Sequence, residues 1–277
     1  MWQPEDTAEK MVRDFILMQN NFETLSFEMV GEIGLLKVNR PQKLNALNRL
    51  VLTELKKFLH SQPDLKGLIF TGSGEKAFIA GADIAEMKDL NSTEAKDFCQ
   101  LGQEVSLLLE GLPFPTVACV HGFALGGGFE MALACDFIFS SKKAVFGLPE
   151  LKLGLIPGFG GTQRLQEIVG YRAAKEMIFS GRNISAEEAF ELGISLKLFD
   201  SQEELVQAAV NWMEDLKSKS PLALRVAKKL IKIGDQLSLE KRLEMEKGSF
   251  GELFSSFDMK EGTSAFLEKR SPHFKGN

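Results

Sequence analysis

Cysteine, histidine and tyrosine are scarce in this chain of 277 residues, which holds three cysteines, three histidines and one tyrosine. Cys99, Cys119 and Cys135 each lie in a largely apolar stretch, and no pair has metal-ligand spacing. Buried, reduced thiols in a cytoplasmic compartment are expected. His60, His121 and His273 are scattered, so no histidine-based metal centre is expected. Positive charge is in deficit too: 33 Lys and Arg stand against 38 Asp and Glu, a formal net charge of −5. Phosphate binding needs a basic field, so nucleic acid is not expected as a main partner; a local basic pocket for one phosphorylated ligand stays open. A spanning apolar run is also missing. The most apolar region, residues 115–139, contains His121, Glu130, Asp136 and Gly126-Gly127-Gly128, a poor composition for a membrane helix. Residues 1–21 contain Glu5, Asp6, Glu9 and Asp14, which fits neither a signal nor a transit peptide. This extension reads as a short amphipathic helix bearing Met11, Val12, Phe15 and Met18.

What is present is ordinary globular composition, 44% hydrophobic and 26% charged, with ample length for a core. Residues 27–30 and 34–38 flank Gly31 as hairpin strands would. Val51, Leu52, Leu55, Phe58 and Leu59 follow helical spacing. Residues 67–71 read as an apolar strand, and the loop 72–76 after it lacks the spacing of a nucleotide-binding P-loop. Asn91 with Glu94 caps a helix that runs to about Leu112, where Pro113 and Pro115 stop it. Strands are expected over 116–120, 137–140 and 144–146, the last two around a Ser-Lys-Lys turn, and again over 196–199. Ser185 with Glu188 starts a helix that Gly193 ends. From Gln202 the pattern is helical: Ser220-Pro221 opens one helix and Asp258 with Glu261 the last. The chain therefore divides into the extension 1–21, an α/β core over 22–200 and a helical region over 201–277. The helices of that last region are short and one-sided, which calls for burial on the core or on another subunit.

Two segments place small residues where a backbone must approach something closely: Ala80-Gly81-Ala82-Asp83-Ile84, and Ala124 to Glu130 with its glycine run. The first N–H groups of a helix have no internal partner and carry partial positive charge. Two such groups converging on one oxygen would stabilise an anion there; tight glycine turns against a sheet explain the same pattern. Glu130, in the first turn of an apolar helix, and Glu150, just past a strand, are each ordinary when taken singly. As a pair in apolar surroundings they equip a site for acid–base chemistry. Asp83 and Asp136 read as a helix cap or as structural hydrogen bonding.

Six stretches in order carry a resemblance: NRPQKLNAL (39–47), AFIAGADIAEM (77–87), LGGGFEMALACD (125–136), FGLPEL (146–151), GLIPGFGGTQRL (154–165) and EGTSAFLEKRSPHFK (261–275). Together they resemble the enoyl-CoA hydratase, or crotonase, family over about residues 24–277. The resemblance implies an α/β fold of stacked ββα spiral turns, forming two roughly perpendicular sheets, with a helical C-terminal trimerisation region. It implies that Ala82 and Gly127 supply the backbone N–H groups of an oxyanion hole, and that Glu130 and Glu150 are the catalytic acids of a true hydratase. Substrate or CoA contacts are implied at Lys43, Ala46, Ala80, Asp83 and Ile84, with Phe250 and Lys269 near the adenine at a subunit boundary. The sequence departs from the family in carrying Ala85 where Lys is frequent, which weakens phosphate attraction there.

The activity implied is reversible syn addition of water to a 2-trans-enoyl-CoA, in fatty-acid or short-chain acyl-CoA metabolism. Glu130 is the expected base on water and Glu150 the expected proton donor to C2. Coenzyme A belongs to the substrate, and no metal or redox cofactor is implied. The expected partners are the acyl-CoA thioester and the chain itself, as a trimer or dimer of trimers. The rival readings are a one-acid isomerase of the same fold, a methylglutaconyl-CoA-type hydratase, and a non-enzymatic CoA- or RNA-binding scaffold.

Overall fold

Apolar residues gather on both sides of Gly31, and in the computed structural model that segment is a hairpin. Strands β1 (Leu25–Val30) and β2 (Ile33–Val38) pair antiparallel, Val30 opposite Ile33. Gly31 makes the turn at φ 63, a left-handed conformation that costs glycine little. The structure describes residues 22–61, 65–233 and 237–277, so the helix expected over 1–21 lies outside the described residues.

After β2 the chain alternates between two sheets. Strands β3 (Gly67–Gly72), β5 (Thr116–Val120), β7 (Phe137–Ser141) and β10 (Lys197–Phe199) join the hairpin in a six-stranded sheet of order β1-β2-β3-β5-β7-β10. Strands β4 (Ala77–Ile79), β6 (Phe123–Leu125), β8 (Val145–Gly147) and β9 (Asn183–Ser185) form a four-stranded sheet in that order. Every pair beyond the hairpin is parallel except β8 with β9. β3 and β5 are buried along their whole length, so their sequences are near-continuous apolar runs, with Thr71 and Thr116 as the polar members, rather than alternating ones. The Ser-Lys-Lys turn between β7 and β8 carries the chain from one sheet to the other; it does not close a hairpin.

Helices complete each turn of this ββα spiral. The helix α1 (Arg49–Ser61) buries Val51, Leu52, Leu55, Phe58 and Leu59, the face its spacing predicts. A short α2 (Ile84–Met87) follows β4, and α3 (Ser92–Glu110) begins at a complete Asn91–Glu94 capping box. The helix α4 (Gly127–Leu133) follows β6, and α5 (Gly161–Ser180) bends at Gly170, whose φ of 78 and ψ of 160 interrupt it. Ser185 caps α6 (Ala186–Glu191) as expected.

The described residues part into two compact units: those from Phe22 to Leu112 with Thr116–Val210, and Pro113–Pro115 with those of Asn211–Asn277. The helix α7 (Gln202–Lys217) begins in the first and ends in the second. The second holds α8 (Pro221–Ile233), α9 (Leu239–Leu253) and α10 (Phe257–Glu268). One sequence expectation is corrected here. Ser256, not Asp258, caps α10, accepting from the Met259 N–H. Asp258 is buried one position inside the helix and accepts from Ser220 Oγ (2.6 Å), the Lys275 N–H (2.7 Å) and the Gly276 N–H (3.1 Å). Among the described residues no helix is long and apolar enough to cross a membrane.

Gly128 sets how close α4 lies to β4, because a Cβ there would collide with the Ile79 carbonyl oxygen. Backbone cannot give way as a side chain can. Gly128→Ala should therefore destabilise the protein by about 1–3 kcal/mol, the usual cost of overpacking. Urea unfolding measures this, and an unchanged midpoint would contradict the close approach.

Candidate active site

Because β4, β6 and β8 are parallel neighbours, their carboxyl ends open on one edge of the four-stranded sheet. Such edges are where α/β sheets receive ligands. Past β4 comes Ala80-Gly81-Ala82-Asp83, past β6 Gly126-Gly127-Gly128, and past β8 Leu148-Pro149-Glu150. Gly81 and Gly126 both have left-handed φ, 109 and 49. A Cβ on Gly126 would sit 2.8 Å from Glu150 Oε1 and 3.8 Å from the Gly81 Cα, so these segments stack where only glycine leaves room.

Backbone direction follows from the pairing. The Leu47 N–H donates to the Gly81 carbonyl (2.8 Å) and the Asp83 N–H to the Leu47 carbonyl (2.8 Å), a parallel bridge centred on Ala82. Alternation along an extended chain then turns the Ala82 N–H away from Leu47. Gly127 is the first residue of α4, so its N–H has no carbonyl within the helix to accept it. The Leu47 side chain reaches Gly127 as well: a Cβ there would lie 3.4 Å from Leu47 Cδ1. One residue thus abuts both N–H-bearing segments.

Glu130, one turn into α4, is 1% exposed. Its Oε1 accepts from the Phe159 N–H (2.8 Å) and the Gly161 N–H (2.6 Å). Burial, the largest effect, raises its pKa above the ordinary carboxyl value; the N–H groups of Gly161, Phe159 and Gly158 and the charge of Arg164 offset part of that rise. Glu150 opens a 3-10 turn, Glu150–Leu153. Among the described residues its buried Oε2 has no hydrogen-bond partner. Burial pushes its pKa up to about 7, against its own backbone N–H and with help from the negative charge of Glu130. The two carboxyls therefore differ in kind. Glu130 is surrounded by donors, which suit an ionised acceptor, whereas an unpartnered buried oxygen suits the protonated form. Such a pair can take a proton at one carboxyl and give one at the other.

The remaining predicted residues spread more widely. Lys43 ends an exposed 3-10 turn, Pro41–Lys43, and Ala46 follows two left-handed residues, Leu44 and Asn45. Ala80 and Ala82 are half-buried on the site edge, and Ile84 is exposed. Asp83 stands at the start of α2 without a side-chain capping bond; its Oδ2 instead meets Arg40 Nη2 at 3.3 Å. Asp136 is structural, accepting from the Thr116 N–H (2.8 Å) and Oγ1 (3.0 Å). Phe250 and Lys269 belong to the second unit, where both are exposed. Sequence reasoning missed Phe159 and Gly161. The glycines of 158–161 ahead of a helix were the only cue, and peptide N–H donors have no side-chain signature.

Comparison with known proteins gives a consistent picture. A family model described as enoyl-CoA hydratase/isomerase matches residues 28–277. A crotonyl-CoA hydratase from Syntrophomonas wolfei is 42% identical over 256 residues, covering 91% of this chain and 98% of that protein. A short-chain-enoyl-CoA hydratase from Clostridium acetobutylicum is 42% identical over 246 residues, covering 88% and 94%. The crystal structure of an enoyl-CoA hydratase from Bacillus anthracis superposes with a TM-score of 0.88 at 37% identity, over 92% of this chain and 100% of that one.

The raised pKa of Glu150 has a consequence for stability. The folded chain holds this proton up to about pH 7, above the ordinary carboxyl value of 4.5 that applies once unfolded. The folded state binds more protons across that window, so the contribution is full below it and is lost as pH rises through it. Glu150→Gln removes the loss. Its urea midpoint, relative to the unsubstituted protein, should be more favourable at pH 8 than at pH 5, and equal differences at both would contradict the shift.

Proposed function

The chain belongs to the enoyl-CoA hydratase/isomerase family, and we propose that within it the protein is an enoyl-CoA hydratase, a hydro-lyase adding water reversibly to a 2-trans-enoyl-CoA. The observation that carries this reading is the pair of carboxyls on one sheet edge, one ringed by N–H donors and one with a buried free oxygen. An isomerase needs only one such group. The names of the two relatives favour short acyl chains, which makes crotonyl-CoA the substrate to test.

The mechanism follows from charge. Glu130, ionised, takes a proton from water as its oxygen attacks C3. Negative charge moves onto the thioester oxygen, where the N–H groups of Ala82 and Gly127 receive it; one such donor typically contributes about 3 kcal/mol to lowering the barrier. Glu150, protonated, delivers hydrogen to C2. Both acids lie on the same edge, which suits syn addition. The reverse dehydration exchanges the roles. Coenzyme A enters with the substrate, and the scheme needs no further cofactor. On family resemblance we assign Lys43, Ala46, Ala80, Asp83 and Ile84 to the CoA side of the substrate, and Phe250 and Lys269 to residues contributed near an adenine at a subunit boundary.

The proposed assembly is a trimer or dimer of trimers. It is supported by exposed apolar side chains on the helical unit: Phe250, Phe254, Phe257, Phe266 and Leu267. Free thiols at Cys99, Cys119 and Cys135 support a cytoplasmic setting.

Replacing either acid by its amide keeps shape and removes the proton function. Glu130→Gln and Glu150→Gln should each lose about 100- to 10,000-fold in crotonyl-CoA hydration, the range of general acid–base groups. The double variant should lose less than the product of the two, because both act in one transition state. The assay is the fall of enoyl-thioester ultraviolet absorbance, with deuterium entry at C2 in heavy water as a second readout. Near-normal hydration by Glu130→Gln would exclude it as the base. Light scattering should give a mass of three or six chains, and a monomer at micromolar concentration would overturn the assembly.

A further inference from the structure

Between the two peptide N–H groups that reach Glu130 lies a peptide that does not. A trans peptide points its carbonyl and N–H in opposite directions, so each plane of the loop can be held from its far side. The Gly158 carbonyl accepts from Cys99 Sγ (3.0 Å) and Gln103 Nε2 (2.9 Å), which aims the Phe159 N–H the other way, at Glu130 Oε1. The next plane offers the Phe159 carbonyl to Ser106 Oγ (3.1 Å) and Arg164 Nη1 (3.0 Å). The plane after Gly160 delivers the Gly161 N–H to the same Glu130 oxygen. Arg164 is itself braced, by Nη1 on Ser106 Oγ (3.2 Å) and Nη2 on Glu110 Oε2 (2.8 Å), and its side chain is only 12% exposed. The guanidinium fills the space a Cβ would need on Gly160, which takes a left-handed φ of 112.

We propose that Arg164, braced by Glu110 and Ser106, is a positioning residue for the base: it holds the middle peptide of the loop so that the N–H groups on either side converge on Glu130. The proposal rests on the hydratase reading, in which Glu130 takes the proton from water. Arg164 acts through the loop, its donors being engaged by the Phe159 carbonyl, Ser106 and Glu110. With the brace gone the loop relaxes, the two donors favour the carboxylate less, and Glu130 holds its proton to higher pH. The positive charge of Arg164 works in the same direction, so its loss adds to the effect.

The test compares the full-length enzyme with Arg164→Met, Arg164→Lys and Glu110→Gln, measuring kcat and KM for crotonyl-CoA across pH. Arg164→Met should lower kcat by about 100-fold, the scale of a 1 Å misplacement, with little change in KM. The acid limb of kcat/KM reports ionisation of the base in the free enzyme and should move to higher pH. Arg164→Lys keeps the charge without the planar fork and should restore part of both effects. Glu110→Gln loosens the brace while leaving Arg164 in place and should shift the limb the same way by less. If Arg164→Met does not fold, these two variants carry the same comparison. An acid limb unmoved in every variant that folds, whatever the loss of rate or thermal stability, would reduce Arg164 to a structural role. An unsubstituted protein that binds crotonyl-CoA without hydrating it would overturn the hydratase reading, a failure visible without any variant.

Discussion

Two peptide N–H groups donated to one carboxyl oxygen hold the site together, because they let Glu130 sit in an interior that almost no water reaches. An ionised group brought out of water costs several kcal/mol unless hydrogen bonds replace its hydration. The same donors that make the burial bearable also decide what the group can do. They favour the carboxylate while burial, the larger effect, favours the acid, so the proton affinity of the group depends on how well two peptide planes are aimed. Structure and reactivity at Glu130 are therefore one property rather than two.

The rest of the fold serves that arrangement. Parallel β4, β6 and β8 bring three chain segments to a common edge, and glycine at 81 and 126 lets them stack without side chains between them. The contrast between the acids follows from position. Glu130 lies inside a helix turn against a loop whose Phe159 and Gly161 N–H groups donate to it, whereas Glu150 starts a short turn with one oxygen left unanswered. Leu47, an apolar residue with no chemistry of its own, touches both N–H-bearing segments through its backbone bridge and its side chain.

Much of this was legible in the sequence, and the exceptions have physical reasons. Long periodic elements such as α1 were readable because their apolar spacing is strong, and the caps at Asn91 and Ser185 because a short polar side chain announces them. The three-residue strands β6 and β9 are too short to show a period. The sheet-to-sheet crossing after β7 resembles a hairpin locally, since only long-range pairing separates the two. Asp258 looked like a cap because buried and capping aspartates are alike in sequence; its partners Lys275 and Gly276 come from the end of the chain. Glu130 and Glu150, with their expected roles as base and proton donor, came from motif and family resemblance; the physical contrast between them did not, because it depends on donors from Phe159 and Gly161 that no side chain reveals.

That dependence has a temporal side. A chain growing on the ribosome acquires Glu130 well before the peptides at 159 and 161 exist. Until they emerge, closing α4 against the sheet would seal in a carboxyl lacking both of its donors, a cost not offset by anything yet made. Parallel pairing across long connections is slow for independent reasons of loop closure. The nascent core thus has cause to remain open until the start of α5 has left the tunnel. Closing that core then completes the hydrogen bonding of its buried acid.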